Sequence, residues 1–332
     1  MGPSKQMLRV KAAPVLRGTT STPRLMLDVI VALVPSVALA TYHFGLSAVL
    51  VLLTASLTAA VTEYVLMGRG SLHDGSAILT GLLFGLTLPP PVPLWVAAVG
   101  SVVAIGLGKL VWGGLGNNLF NPALVGRAFV QAAFPTALTT WAAPGQAFWT
   151  LHGSTLAPPF QRPVVDVVSS ATPLALMKFE QVSTPWSPLM VGDIGGSLGE
   201  TSAVAVALGW LYLALRRTCD SRIPWSILLT VGVLAGALHW VNPERYPGPF
   251  FMVLSGGLMF GAVFMATDPV TSPTTRRGVL IFGVGVGTLV VLIRVFGGLP
   301  EGVMYAILLM NAAAPLIERY TQPRPFGRRS KA

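Results

Sequence analysis

Long apolar runs follow one another along almost the whole chain, and they constrain its fold more than any other feature of the sequence. About 20 consecutive apolar residues form a helix that crosses a lipid bilayer. Charged residues make up 10% of the 332 residues, whereas about 25% is usual for a soluble domain. The sequence therefore predicts an all-α polytopic membrane protein with about ten transmembrane helices, in the windows 25–42, 46–66, 77–88, 94–111, 122–138, 201–215, 223–241, 250–267, 279–295 and 303–317.

The distribution of lysine and arginine predicts the orientation of these helices. Basic residues are concentrated in the connections that fall on one side of the membrane, and by the positive-inside rule that side is the cytoplasm. The net charge of +10 therefore indicates orientation and contact with anionic lipid, not with nucleic acid. The predicted division is a cytoplasmic tail (1–24), a first transmembrane half (25–138), a long extracytoplasmic loop (139–200), a second transmembrane half (201–317) and a cytoplasmic tail (318–332).

Two of the windows predict broken helices. The run 77–88 is short and ends in three prolines, and Pro122 opens another segment directly after the string WGGLGNNLFN. Backbone groups freed at such breaks must face protein or a cavity and not lipid, so these segments are candidate binding elements.

Short strings that recur in the second part of the chain predict two related halves with a site between them. GLLFG at 81–85 recurs as GLMFG at 257–261, and GLGKL at 106–110 resembles GVGTL at 285–289. The alternative is that these glycines only let neighbouring membrane helices approach closely.

Four ionisable residues lie in or near the apolar windows, where a central charge costs about 2.5–3.5 kcal/mol. They are Asp28, Glu63, Lys109 and Arg127. We expect them to face the interior of the helix bundle, with ion pairing or snorkelling as the alternative. The single cysteine, Cys219, excludes an internal disulfide and leaves too few thiolates for an iron–sulfur cluster held by this chain alone. A redox cofactor must be held in another way.

A hydroxyl-rich stretch, DVVSSATPLAL at 166–176, stands in the predicted extracytoplasmic loop. Its spacing D-x-x-S-x-A-T resembles the attachment sequence that flavin transferases modify, in which the last threonine is joined to the phosphate of FMN. The resemblance implies Thr172 as the attachment residue, in a motif completed by Asp166, Ser169, Ser170, Ala171 and Pro173. The family usually has glycine at the position of Ser170. An ordinary Ser/Thr-rich turn is the alternative interpretation.

Further strings extend this resemblance over nearly the whole chain, from Leu25 to Gly327. MLDVIVALVPS, GLLFGLTLPPPVPLW, GKLVWGGLGNNLFNPALVGRAF, ATDPVTSP and GGLPEGVMYAILLMNAAAPLIERYTQP stand in the order seen in the RnfD family, whose members are membrane subunits of the Rnf electron-transport complex. That family is related to one membrane subunit of the sodium-pumping NADH:quinone oxidoreductase. The chain is identified as a member of the RnfD family on these strings.

The resemblance implies an electron-relaying subunit of an ion-translocating oxidoreductase in the bacterial inner membrane. It implies FMN esterified to Thr172, a noncovalent riboflavin, and coupling to sodium or proton transport. The implied partners are a second FMN-bearing subunit, iron–sulfur subunits and a flavin transferase, within the lipid bilayer. Because the sequence contains no Walker A string, we expect no activity from this chain alone.

Family motifs at the ends of the predicted broken helices supply four further candidates for contacts to a flavin or to an ion path. They are Asn121 and Arg127 in NPALVGR, and Asp268 and Thr271 in TDPVT. Helix caps and tight turns are the alternative roles for these residues. For the whole chain, the alternatives are a small-solute channel or transporter and a scaffold subunit without flavin.

Overall fold

The computed structural model describes residues 21–145, 147–149, 151, 154–159 and 170–323, apart from the side chain of Arg69. All regular secondary structure in these residues is helical. Its elements are α1 (Thr22–Met67), a 3-10 helix (Arg69–Asp74), α2 (Ser76–Leu86), α3 (Leu94–Ile105), α4 (Pro122–Ala133), α5 (Pro135–Thr139), α6 (Pro173–Ala175), α7 (Trp186–Val191), α8 (Ala203–Arg216), α9 (Arg222–Val241), α10 (Pro249–Leu254), α11 (Leu258–Phe260), α12 (Arg276–Phe296) and α13 (Val303–Thr321). Three π-helical turns, Gly106–Leu110, Leu176–Glu180 and Gly261–Met265, extend α3, α6 and α11.

The fold class is that of a polytopic membrane protein, as the apolar windows predict. Within the described residues, three helices are long and apolar enough to cross a bilayer by themselves: Thr22–Met67, Arg222–Val241 and Arg276–Phe296. Shorter apolar helices lie beside them, at Ser76–Leu86, Leu94–Leu110 and Ala203–Arg216. The number of crossings and the division of the chain at 139 and 201 stay predictions.

The first long helix contains a sharp turn at Gly45. This residue adopts φ of +62°, so α1 consists of two helical segments that match the predicted windows 25–42 and 46–66. The amide of Leu46 donates to the carbonyl of Phe148 at 2.8 Å, and the amide of Gly145 donates to the carbonyl of His43 at 3.1 Å. The beginning of the 139–200 segment is therefore fastened to the turn inside α1.

Interrupted helices occur where the prolines predict them and at one further place. α2 ends at Leu86, before the prolines, and α4 begins at Pro122. The predicted window 250–267 is not continuous, because the chain breaks between α10 and α11, where Gly256 has φ of +62°. Arg294 of α12 stabilises this break, since its guanidinium donates to the carbonyl of Met252 at 2.6 Å and to that of Ser255 at 3.0 Å. Carbonyls freed by a broken helix are thus satisfied inside the protein.

One pair of segments with similar sequences does not share local structure. GLGKL at 106–110 forms a π-helical turn, whereas GVGTL at 285–289 lies inside the regular helix α12. The relation between two halves stays a prediction.

The end of the 139–200 segment packs over α2. The amide of Leu198 donates to the carbonyl of Leu88 at 3.0 Å, and the amide of Gly199 donates to the carbonyl of Leu86 at 2.7 Å. This contact brings residues 197–201 to the C-terminal end of a short helix. A cavity lies at the same place.

Candidate functional site

A cavity of about 470 Å³ lies between the 139–200 segment and the helices α4, α11 and α13. Its volume is in the range of sites that hold cofactors or other small ligands. Apolar and aromatic side chains form most of its wall, among them Leu138, Trp141, Phe179, Phe260, Met304 and Tyr305. Its polar wall contains Ser170, Thr172, Arg127, Glu200 and Glu301.

Thr172 is placed at this wall by the turn that starts α6. Its side-chain oxygen accepts a hydrogen bond from the amide of Ala175 at 3.2 Å, and Pro173 occupies the first helical position. Threonine is common as a helix N-cap, and proline is common at the first position of a helix. Only 5% of Thr172 is exposed. Thr172 therefore lines the cavity nearly buried and is not presented on the open surface.

Two neighbours of Thr172 in the attachment motif also line the cavity, namely Ser170 and Ala171. The amide of Ser170 donates to the carbonyl of Trp141 at 3.0 Å. Its hydroxyl oxygen is buried and has no hydrogen-bond partner among the residues that the structure describes. It lies beside Gly195, where an added Cβ would collide with it. Two further motif residues, Asp166 and Ser169, lie outside the described residues.

The residues after Thr172 are held in place by one lysine. The ammonium of Lys178 donates to the carbonyls of Arg294 at 3.0 Å, Gly297 at 2.5 Å and Leu299 at 2.9 Å. These carbonyls belong to the C-terminal end of α12 and the residues that follow it, where a cation is favourable. The residues that follow Thr172 are thus hydrogen-bonded to the C-terminal end of α12.

Arg127 connects the two parts of the chain at the cavity. It lies on α4, and its guanidinium donates to the carbonyl of Thr87 and, at 3.2 Å, to a carboxylate oxygen of Glu301. Glu200 lies 3.8 Å from the same guanidinium. Arginine offers several donors in a fixed plane, so one buried side chain can hold all three groups together.

Glu200 and Glu301 form a close pair of carboxyl groups. Burial and the neighbouring charge of Glu301 raise the pKa of Glu200 from its ordinary value of 4.5 to about 8, although Arg127 acts in the opposite direction. Gly257 makes room for this arrangement, because a Cβ at that position would collide with the carboxyl of Glu200. Glu200 precedes α8 and Glu301 precedes α13.

Sequence reasoning did not select these two acids as site residues. The available signal was the buried charge of Arg127, which required counter-charges, and the position of each acid directly before an apolar window. Arg294 was also missed, although it lies within the predicted span 279–295 and only 5% of it is exposed.

The other candidates lie in a different place, at a cavity of about 130 Å³ near the N-terminal end of α4. Asn121 caps α4, accepting from the amides of Ala123 at 3.0 Å and Leu124 at 3.4 Å, and its amide group donates to the carbonyl of Met265 at 3.2 Å. Asp268 also lines this cavity and accepts a hydrogen bond from the hydroxyl of Thr271 at 3.3 Å. The structure therefore places Arg127 with Thr172 and separates both from these three residues.

The remaining charges predicted inside the bundle are paired. Lys109 donates to the carboxylate of Glu63 at 2.7 Å and to the hydroxyl of Ser76 at 2.6 Å, and all three residues are buried. Asp28 accepts from Arg216 at 3.1 Å. The expectation that these residues face the interior is confirmed, and they are paired there with opposite charges.

The residues of the large cavity fit a flavin. A planar, largely apolar ring requires aromatic and aliphatic walls with a few polar groups that fix its orientation, and this cavity provides both. Thr172 stands at the polar part of this wall.

Comparison with known proteins agrees with the sequence strings. Residues 9–327 match the model of the NQR2, RnfD, RnfE family. The chain is 42% identical to a subunit of the ion-translocating oxidoreductase complex of Stutzerimonas stutzeri, over 94% of each chain. It is 39% identical to a subunit of the proton-translocating ferredoxin:NAD(+) oxidoreductase complex of Clostridium ljungdahlii, over 98% of each chain.

A third relative, from Acetobacterium woodii, is named as a subunit of the Na(+)-translocating ferredoxin:NAD(+) oxidoreductase complex. The chain is 38% identical to it, over 96% of this chain and 95% of the relative. With a matching family model and relatives of this similarity along almost its full length, the chain belongs to the NQR2, RnfD, RnfE family.

Proposed function

We propose that this protein is a membrane subunit of an ion-translocating ferredoxin/NAD oxidoreductase complex and relays electrons through FMN attached to Thr172. The observation that carries the proposal is the position of Thr172, whose hydroxyl stands at the wall of a cavity that fits a flavin ring. The names of the relatives support the wider assignment, since all three are subunits of ion-translocating oxidoreductase complexes.

Each part of the cavity has a role in this proposal. Thr172 anchors the phosphate through an ester, and the aromatic and aliphatic wall excludes water from the ring. When bound, FMN supplies one-electron chemistry that no side chain provides, and the protein sets the ring's position and surroundings. A covalent link also keeps an extracytoplasmic cofactor at high effective concentration.

The chain works only with partners in this proposal. Its partners are a second FMN-bearing subunit and iron–sulfur subunits, which bring electrons to the cavity, and a flavin transferase, which makes the ester. The complex moves sodium or protons. Relatives named for proton and for sodium transport are almost equally similar to this chain, so sequence identity does not select the ion. The noncovalent riboflavin that the resemblance implies stays a prediction without an assigned site.

Flavin fluorescence of the denatured protein tests the attachment. The chain and a flavin transferase are produced together, and the gel band is compared with that of Thr172→Ala. We expect a fluorescent band that disappears in Thr172→Ala and persists in Ser183→Ala, a matched loss of an exposed hydroxyl in the same segment. A band that remains in Thr172→Ala, or no band in any sample despite an active transferase, would refute the proposed attachment.

A further inference from the structure

We infer that Glu200 and Glu301 share one exchangeable proton, and that this pair donates it to and accepts it from the redox group held in the Thr172 cavity. The inference rests on the proposed function, because it requires a group in that cavity whose charge changes. It assigns a chemical role to two residues that the attachment motif does not include.

Glu200 and Glu301 lie close together at the cavity. Both carboxyl groups line the same cavity as Thr172, and both also line a small space that separates Thr172 from Gly256. Glu200 lies just before α8 and Glu301 just before α13, so neither acid is part of a helix. The two carboxyl groups therefore come together from distant places in the chain. The two glycines 256 and 257 carry no side chains that would keep the carboxyls apart. A Cβ at Gly256 would lie 2.9 Å from an oxygen of Glu301.

Charged side chains surround the two carboxyl groups. Two arginines face the pair. The guanidinium of Arg127 lies 3.2 Å from the carboxylate of Glu301 and 3.8 Å from that of Glu200. The guanidinium of Arg294 approaches Glu301 beside Gly256. A Cβ added at Gly256 would lie 2.9 Å from the Glu301 oxygen and 3.2 Å from the Arg294 nitrogen. Tyr305 is the other titratable residue at the cavity wall, and the ammonium of Lys178 is directed to backbone carbonyls at the end of α12.

These charges allow two states. With two arginines and two ionised carboxylates the cluster is neutral, whereas with one shared proton it carries one positive charge. Two carboxylates in contact resist simultaneous ionisation, which favours the state with the proton. The pKa of Glu200, raised to about 8 chiefly by burial, agrees with retention of that proton at neutral pH.

The exchange balances in charge and in atoms. One electron would come to the bound group from a flavin or iron–sulfur centre of another member of the complex. The pair of carboxyl groups would then break one O–H bond and give the proton to the group. When the electron leaves, the proton returns and the O–H bond forms again. The cluster changes from one positive charge to none and back, so the bound group takes up the electron without a change in its own charge.

Infrared difference spectroscopy of the assembled, purified complex tests the inference. We expect a band of a protonated carboxyl in the oxidised complex that is lost on reduction. The band should be absent from Glu200→Gln and shifted or absent in Glu301→Gln, while the exposed Glu180→Gln retains it. Using two separate acid variants guards against one of them failing to fold.

A second readout distinguishes proton exchange from a merely structural ion cluster. The midpoint potential of the covalent flavin should depend on pH in the wild type and in Glu180→Gln, and this dependence should be lost or weakened in Glu200→Gln. An unchanged infrared band together with an unchanged pH dependence in Glu200→Gln, in protein that carries normal amounts of covalent flavin, would overturn the inference and leave the proposed function standing. A wild-type complex without covalent flavin would overturn both.

Discussion

Lys109 is a buried cation that depends on one carboxylate. Its ammonium and the carboxylate of Glu63 are 2% and 1% exposed, so removing either charge leaves the other inside the bundle without an opposite charge. Breaking a buried pair in this way costs about 3–5 kcal/mol, whereas exchanging both partners for apolar residues is often nearly neutral.

Lys109→Met should therefore lower the free energy of unfolding by about 3–5 kcal/mol. The measurement is thermal or denaturant unfolding of the purified protein in detergent. The double variant Lys109→Met/Glu63→Leu should recover most of the loss. Arg222→Met is the matched control, because its 4.0 Å pair with Asp220 is about half exposed and such pairs contribute about 0–1 kcal/mol. Equal losses from Lys109→Met and Arg222→Met would contradict the prediction.

The pH dependence of stability follows from Glu200. Its pKa is raised in the folded protein from 4.5 to about 8, so the folded state binds the proton more tightly than the unfolded state. This contribution is fully present below about pH 4.5 and is lost as the pH rises through about 8. The melting temperature in detergent should fall over this range, and Glu200→Gln should make the fall shallower. Glu180→Gln, which is exposed, should keep the wild-type slope.

The sequence predicted only part of the site at the scale of single residues. Thr172 and Arg127 could be selected because one belongs to a short motif and the other is a charge inside an apolar window. Glu301 could not be assigned, since its partner Arg127 lies 174 residues earlier and no local pattern records that contact. That Lys109 pairs with Glu63 could likewise be recognised only from the three-dimensional structure.

At the scale of helices, local sequence predicted those interruptions that have a local cause. The prolines after α2 and at the start of α4 end or begin helices through their own geometry. The break between α10 and α11 has a different cause, because its free carbonyls are satisfied by Arg294 on another helix. Apolar windows alone therefore predict one continuous span for such a segment.

Close packing between helices supplies a prediction at this scale. A Cβ at Gly81 of α2 would lie 2.6 Å from the carbonyl oxygen of Ala55 and 2.6 Å from the Cα of Ser56, both backbone atoms of α1. Gly81→Ala should therefore push the helices apart and lower the free energy of unfolding by about 1–3 kcal/mol. The same unfolding assay measures it.

Gly236→Ala on α9 is the control for this substitution. No atom lies within 4 Å of its added Cβ, so the variant should be neutral or slightly more stable, because alanine is the better helix former. If Gly81→Ala were as stable as Gly236→Ala, close contact at Gly81 would not limit the packing of α1 and α2.

For the whole molecule, contacts separate the helix ends into two groups. The 139–200 segment contacts the turn of α1, the end of α2 and the end of α12. Asn121, Asp268 and Thr218 line a cavity that none of these contacts reaches. The side of the membrane on which each group lies stays a prediction.

Cysteine labelling tests that orientation. In a Cys219→Ser chain, which has no other cysteine, Ser187→Cys and Asp220→Cys place single thiols at exposed positions in the two groups. A membrane-impermeant maleimide applied from the extracytoplasmic side should label Ser187→Cys. Asp220→Cys should react only after the cytoplasmic side is opened. The reverse pattern would invert the proposed topology.

The burial of Thr172 has a consequence for how the protein matures. Thr172 is 5% exposed in the folded chain, at a wall that also includes Glu301, a residue synthesised much later than Thr172 itself. On the proposed function, a second enzyme can reach this hydroxyl only while the segment above the cavity is still open. Attachment and closure then compete in time, and a chain that closes first escapes modification.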